Sequence, residues 1–156
     1  KEKMKDLNGA IEDYSKAIEI NPDASSYKKR GLVRYKSDDY KGAIHDYTKL
    51  IEINPKEESA YFNRAECKYK LKDLKGSIDD YTKLIEINPK EEDAYINRGI
   101  CKYELEEYKS SIVDFSKAIE INPKYGRTYM RRGCAKHKLG NIENAGKDFQ
   151  KWRKYR

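Results

Sequence analysis

Two histidines, three cysteines and a large set of carboxylates are the groups in this chain that could support catalysis or hold a metal, and their spacing assembles neither. His45 and His137 stand 92 residues apart on different expected helices. No Ser/His/Asp set, no Cys/His ligand spacing and no glycine-rich phosphate loop accompanies them. The acids come as adjacent pairs, Glu57-Glu58, Glu91-Glu92 and Asp79-Asp80, which recur with a period instead of converging. Pairs of that kind decorate helix starts and solvated faces. Cys67, Cys101 and Cys134 fall about one period apart on equivalent helices. Packed helix axes stand roughly 8–10 Å apart, beyond the ~7 Å Cα separation that a disulfide spans. The three are expected as small buried apolar residues. No catalytic residue, metal or cofactor is assigned, and the chain reads as a non-enzyme.

Basic groups offer a different chemistry, that of recognition. From Lys124 to Arg156 there are eleven Lys and Arg against Glu143 and Asp148, whereas residues 1–123 carry a small acidic excess. The formal charge of +7 therefore belongs to the last segment. Lys136, His137, Lys138, Lys147, Lys151, Arg153, Lys154 and Arg156, with Trp152 and Tyr155, interleave basic groups and aromatics. That mixture suits a solvated terminal cap, an acidic protein partner or, third, nucleic acid.

The elements that carry these groups follow from one phrase. Asn-Pro occurs at Asn21-Pro22, Asn54-Pro55, Asn88-Pro89 and Asn122-Pro123, with prolines 33, 34 and 34 residues apart. A fixed period of this size marks a stack of one supersecondary unit, and each unit then contacts only its neighbours. Within a unit the spacing predicts two helices. The first ends near Leu71, Leu105 or Leu139, and the second begins near Tyr40, Leu74, Tyr108 or Ile142. Leu74, Ile78, Tyr81, Leu84, Ile85 and Ile87 form one stripe of a 3.6-residue helix. Asp39, Asp73 and Asn141 are the expected N-caps of second helices. Asn before Pro stops each one, with Asn expected to accept a left-handed cap. Gly31, Ala65, Gly99 and Gly133 share one mid-helix place, where a small residue lets a neighbouring helix approach.

Tyr61, Ala65, Ser77, Tyr81, Leu84 and Pro89, at this spacing and period, resemble the tetratricopeptide repeat (TPR), and the phrases AYFNRA, AYINRG and KAIEINP resemble its bacterial form. The resemblance implies an all-α fold: a right-handed α-solenoid of antiparallel helix pairs whose first helices line a concave groove. It divides the chain into a single array: 1–22 as the second helix of a truncated repeat, 24–55, 58–89 and 92–123 as full repeats, and 126–156 as a capping repeat. The residue missing between Pro22 and Tyr27 is expected to alter that turn alone. Lys1–Lys5 match only the tail of a first helix, so a preceding helix is expected. At the far end Gly146 and Arg153 replace the isoleucine pairs of the earlier second helices, as expected where an array stops.

A helical wheel separates a packing arc (Ala60, Tyr61, Arg64, Ala65, Cys67, Lys68, Leu71) from a solvated one (Ser59, Phe62, Asn63, Glu66, Tyr69, Lys70). The solvated arc carries an apolar row at Phe62, Ile96 and Met130. With Asn63 and Asn97 beside it and Tyr35, Tyr69 and Tyr103 at its edge, the row reads as the floor of a peptide-binding groove. The alternative is that these side chains touch only other helices. Asparagine amides both donate to and accept from an extended backbone. On the packing arc, Arg30, Arg64, Arg98 and Arg132 require partners. Asp46, Asp80, Asp114 and Asp148 at the edge of each second helix are the expected ones.

Some TPR modules hold the terminal carboxylates of chaperone tails with Lys, Asn and Arg. The resemblance carries Asn97, Arg127 and Arg131 over to the second half of that clamp, but Phe62 and Glu66 break the first half. One repeat earlier Lys28 and Asn63 match, while Leu32, Asp93 and Asn97 do not fit. An acidic ligand near Arg127, Arg131 and His137 stands on charge alone. The partner expected is an unidentified protein or peptide. Self-association through Leu7, Ile11 and Ile18 of the first helix is the second reading. No apolar run approaches the ~18 residues of a membrane span. No secretory signal is visible, and that absence alone favours the cytoplasm.

Overall fold

The computed structural model describes residues 2–156, with side chains from Asp6 onward. Among the described residues there are nine α-helices and no strand. They are α1 (Glu2–Ile20), α2 (Ala24–Lys36), α3 (Tyr40–Ile53), α4 (Glu58–Lys70), α5 (Leu74–Ile87), α6 (Glu92–Glu104), α7 (Tyr108–Ile121), α8 (Gly126–Lys138) and α9 (Ile142–Lys154). The second helices begin where the stripe predicts. The expectation for Lys1 itself lies outside the described residues. From Glu2 to Ile20 α1 is one continuous helix. The chain resolves into two compact units, residues 1–80 and 81–156, and α5 runs through the division.

Unit 1 packs α1 on α2, α2 on α3 and α3 on α4. Its core is Ala43, Tyr47 and Leu50 of α3 with Ala60 and Cys67 of α4, and Tyr27, Tyr35, Ile44 and Ile51 close around them. Each large side chain buried this way contributes roughly 1.5–3 kcal/mol. Ile18 of α1 is buried and Leu7 and Ile11 are half-buried, so the face expected to be exposed is largely covered. Unit 2 packs α6 on α7, α7 on α8 and α8 on α9. Tyr95, Ile96 and Ala118 form a core with Ile85, Ile100 and Ile121.

The small mid-helix residues act as expected. A Cβ at Gly31 would stand 3.0 Å from Tyr47, and one at Gly99 would stand 2.8 Å from Phe115. At Gly133 it would stand 2.8 Å from Phe149. Each glycine thus seats an aromatic ring of its partner helix.

The two turns of the repeat divide their duties differently from the expectation. Asn54 and Asn122 are extended (φ −130° and −132°), not left-handed. Their side chains instead accept from the amide two residues on, across the proline: Lys56 N at 3.3 Å and Lys124 N at 3.3 Å. The left-handed residues lie in the other turn, at Asp38, Lys72, Glu106 and Gly140. There a paired 6→1 and 5→2 hydrogen-bond pattern closes the first helix, as in Glu107 N to Lys102 O (2.9 Å) and Glu106 N to Tyr103 O (3.0 Å). Asp39 and Asp73 cap as expected, accepting from Gly42 N and Gly76 N, whereas Asn141 makes no side-chain cap. The shortened turn after Pro22 is rebuilt with Asp23, which accepts from Ser25 N and Ser26 N. The Tyr-to-proline-carbonyl bond seen at Tyr61, Tyr95 and Tyr129 belongs to the longer turns.

Candidate functional site

The arginines of the packing arc are committed to structure. Arg98 forks onto Asp114, Nη2 to Oδ1 at 2.6 Å and Nε to Oδ2 at 3.0 Å. Lys102 Nζ reaches Oδ2 of the same carboxylate at 2.8 Å. Arg30 with Asp46, Arg64 with Asp80 and Arg132 with Asp148 repeat the fork, with Arg34, Lys68 and Lys136 as the second cation. The pairing is therefore within each helix pair. Two details were not read from the sequence. The free edge of each guanidinium donates to a hydroxyl of the preceding second helix, as Arg98 does to Thr82 (3.1 Å) and Arg132 to Ser116 (3.1 Å). Its plane also stands over a tyrosine ring, 5.7 Å from Tyr95 for Arg98. Burial raises the Asp148 carboxyl, but the hydrogen bonds and charges of Arg132 and Lys136 outweigh it and hold the group below its ordinary value.

Outside this ladder, the first helices of unit 1 place the following groups. Lys28 is exposed and engaged by Glu57 at 2.8 Å. Tyr35 is half-buried with its ring edge-on to Tyr40, centroids 5.6 Å apart. Burial, and then the charge of Glu66, raises its pKa. Phe62, Asn63 and Tyr69 are half-buried, and the Lys72 ammonium lies 5.5 Å above the Tyr69 ring.

In unit 2 the arrangement departs from a simple row. Ile96 is 6% exposed and belongs to the core, so it cannot serve as an open floor. Asn97 is half-buried. Tyr103, Met130 and Arg131 come together around a cavity of about 170 Å³, completed by Ile100, Phe115 and Cys134. Tyr103 is held edge-on to Tyr108 at 5.2 Å, and burial raises its pKa. Arg127 and His137 are exposed and do not line this cavity. Arg127 lines another, of about 380 Å³, with Tyr125, Gly126, Trp152, Tyr155 and Arg156.

Ile100, Phe115 and Cys134 are the lining residues that sequence reasoning missed, and one signal was present. Cys134 lies 33 residues after Cys101, one short of the period. Its true equivalent is Ile100, and Ala135 takes the buried place of Cys67 and Cys101. Cys67 is buried, which pushes its thiol up to about 12, while Cys134 is half-buried at the cavity wall. Reading all three cysteines as buried was wrong for this one. Among the described residues no cluster of His, Cys, Asp or Glu could hold a metal, and no helix is long and apolar enough to cross a membrane.

Comparison with known proteins places this geometry. The chain superimposes on the crystal structure of MamA with a TM-score of 0.92, at 24% identity over 99% of this chain and 91% of that one. YrrB, described as a TPR protein with an unusual peptide-binding site, gives 0.86 at 19% identity over 99% and 80%. The first TPR of Spaghetti, solved with the HSP90 peptide SRMEEVD, gives 0.71 at 23% identity over 75% and 93%. Comparison with curated proteins gave no match. Models of the tetratricopeptide repeat match residues 1–23, 24–57, 58–91, 92–125 and 126–151. The matched family is one of interaction modules, and no enzymatic family is indicated. The chain is thus an all-α solenoid of helix pairs that belongs to the tetratricopeptide repeat family.

Proposed function

We propose that the chain is a protein-interaction module that takes a peptide segment on the exposed arcs of its first helices. In unit 2 one apolar side chain of the peptide enters the cavity between Tyr103 and Met130. Arg131 at its wall favours an acidic neighbour in the peptide. The observation that carries this reading is the cavity itself. Its lining of Ile100, Tyr103, Phe115, Met130 and Cys134 is mainly apolar, and Arg131 is its only charged side chain. Pockets with that balance of apolar surface and one fixed polar group are the usual form of a ligand site. Asn97 in this unit, and Asn63 in unit 1, supply amides suited to a peptide backbone. The two structural neighbours described with a peptide site or a bound peptide support the class of ligand. The acidic residues of SRMEEVD are in keeping with an Arg131 partner.

The test is fluorescence anisotropy of labelled heptapeptides in which a single Leu is flanked by Glu, with matched peptides carrying Ser for Leu or Gln for Glu. Binding is expected to need both the Leu and the Glu. Arg131→Asn with Cys134→Glu, which copies the residues at the equivalent places of unit 1, is expected to weaken it by about tenfold or more. Equal binding of the Leu and Ser peptides, or no change in that variant, would falsify the proposal.

A further inference from the structure

The end of unit 2 formed by the start of α8 and the last turn of α9 has a chemistry that neither the ladder nor the Met130 cavity uses. Its cavity of about 380 Å³ is lined by Tyr125, Gly126, Arg127, Trp152, Tyr155 and Arg156. Two guanidiniums and three aromatic rings line it, and no Asp or Glu side chain does.

The preceding helix pair carries the opposite charge at the same places. One repeat earlier, Tyr125, Gly126 and Arg127 are Glu91, Glu92 and Asp93, and Arg156 is Asn122. There the Asn122 amide donates to the Glu92 carboxylate, Nδ2 to Oε2 at 3.0 Å. The α6–α7 pair thus supplies its own carboxylate, whereas the charged side chains lining this place in the α8–α9 pair are the Arg127 and Arg156 guanidiniums. Arg127, Lys151, Arg153 and Lys154 are exposed, and none has an ion pair among the described residues. The Arg156 guanidinium lies 6.0 Å from the Trp152 ring centroid. A guanidinium stacked on an aromatic face is held in plane while its N–H edge stays open to an acceptor.

We infer that this cavity is a second anion-recognition site, which takes a side-chain carboxylate from an acidic polypeptide segment. Arg127 and Arg156 are its donors, and the exposed cations of the last turn of α9 draw the segment in. A carboxylate is the occupant because the same place in the α6–α7 pair is satisfied by one. The site shares no lining residue with the Met130 cavity and does not depend on that cavity's function.

Trp152 is the only tryptophan of the chain, so its emission reports on this cavity alone. The full chain is titrated at low salt with a blocked tetraglutamate peptide. A saturable emission change is expected. Arg127→Asp with Arg156→Asn restores the residues of the α6–α7 pair and is expected to weaken binding by about tenfold or more. Both side chains are exposed, so the melting temperature should stay with that of the wild type. Met130→Ala should leave the response intact. The inference is overturned by an absent or unsaturable response, by equal affinity in the double variant, or by loss of the response in Met130→Ala. It is also overturned if inorganic phosphate saturates the signal at a lower concentration than the peptide, which would make this a phosphate site.

Discussion

Two repeats apart, unit 1 and unit 2 repeat the positions that line the Met130 cavity and fill them with different chemistry. Leu32, Tyr35, Tyr47, Phe62, Asn63 and Glu66 in unit 1 stand at the places of Ile100, Tyr103, Phe115, Met130, Arg131 and Cys134 in unit 2. The frame is shared. Tyr47 sits against Gly31 as Phe115 sits against Gly99, and Tyr35 and Tyr103 each meet a tyrosine edge-on. The contents differ in charge: Asn and Glu in one unit become Arg and Cys in the other. On the proposed reading, Glu66 would disfavour in unit 1 the acidic group that Arg131 would attract in unit 2. What repeats is structure, and what fails to repeat is the place to look for specificity.

The largest effects should come from the shared frame and should be equal in the two units. Asp46 lies between Arg30 and Arg34, and Asp114 lies between Arg98 and Lys102. Both carboxylates are almost fully buried. Replacing either by Ala leaves two cations facing one another without the carboxylate they share, a change that costs about 3 kcal/mol. In unit 1 the more exposed Asp39, 3.6 Å from Arg34, makes up little of that loss. The figure is taken at the low end of the range because the cations keep some contact with solvent. Urea unfolding of Asp46→Ala and Asp114→Ala checks it. A loss below about 1 kcal/mol in one unit but not the other would break the idea of a common frame.

A smaller effect separates the units. The Tyr47 hydroxyl is buried with no hydrogen-bond partner among the described residues, and desolvation drives its ionisation far above the ordinary tyrosine range. Unit 2 carries Phe115 at that place and so avoids the problem. Removing an unsatisfied buried group is neutral or favourable. Tyr47→Phe is expected to leave stability unchanged or raise it by up to about 1 kcal/mol, again by urea unfolding. A clear loss would mean that the hydroxyl is bonded in solution.

Most of the frame was legible in the sequence, because a period repeats its evidence. Four copies of Arg and Asp at fixed spacing made the ladder predictable, and the second helices start at Tyr40, Leu74, Tyr108 and Ile142 as the stripe required. The candidate site was less legible for the same reason. Ile96 looked exposed because its equivalent Phe62 did, yet it is drawn into a core with Tyr95 and Ala118. Burial at a repeated place depends on the volume of the neighbours, which a wheel drawn from one copy does not contain. Cys134 was grouped by residue type with Cys67 and Cys101, when a one-residue shift in spacing had already moved it to the other face. The left-handed residues were assigned to Asn-Pro on propensity alone. The hydrogen bonds put them instead at Asp38, Lys72, Glu106 and Gly140, of which Lys72 and Glu106 had no residue preference to announce them.

Those left-handed positions give the finest test of the comparison. Asp38 in unit 1 and Glu106 in unit 2 have nearly the same φ, 62° and 61°. Their costs differ. Asp tolerates this region better than Glu, because its short side chain can bond locally, and Asp38 does so by accepting from Tyr40 Oη at 2.5 Å. That bond, with burial, lifts the Tyr40 pKa to about 12. Gly140 shows what the last repeat uses at the same place. Relief of backbone strain by Gly, set against the extra freedom it gives the unfolded chain, leaves a gain of about 0.5 kcal/mol for Glu106→Gly. Asp38→Gly loses its bond to Tyr40 and should gain nothing, and the Tyr40 titration should fall back toward 10. If the two glycine variants gain equally in urea unfolding, the local bond at Asp38 carries no weight, and the turns of the two units are interchangeable.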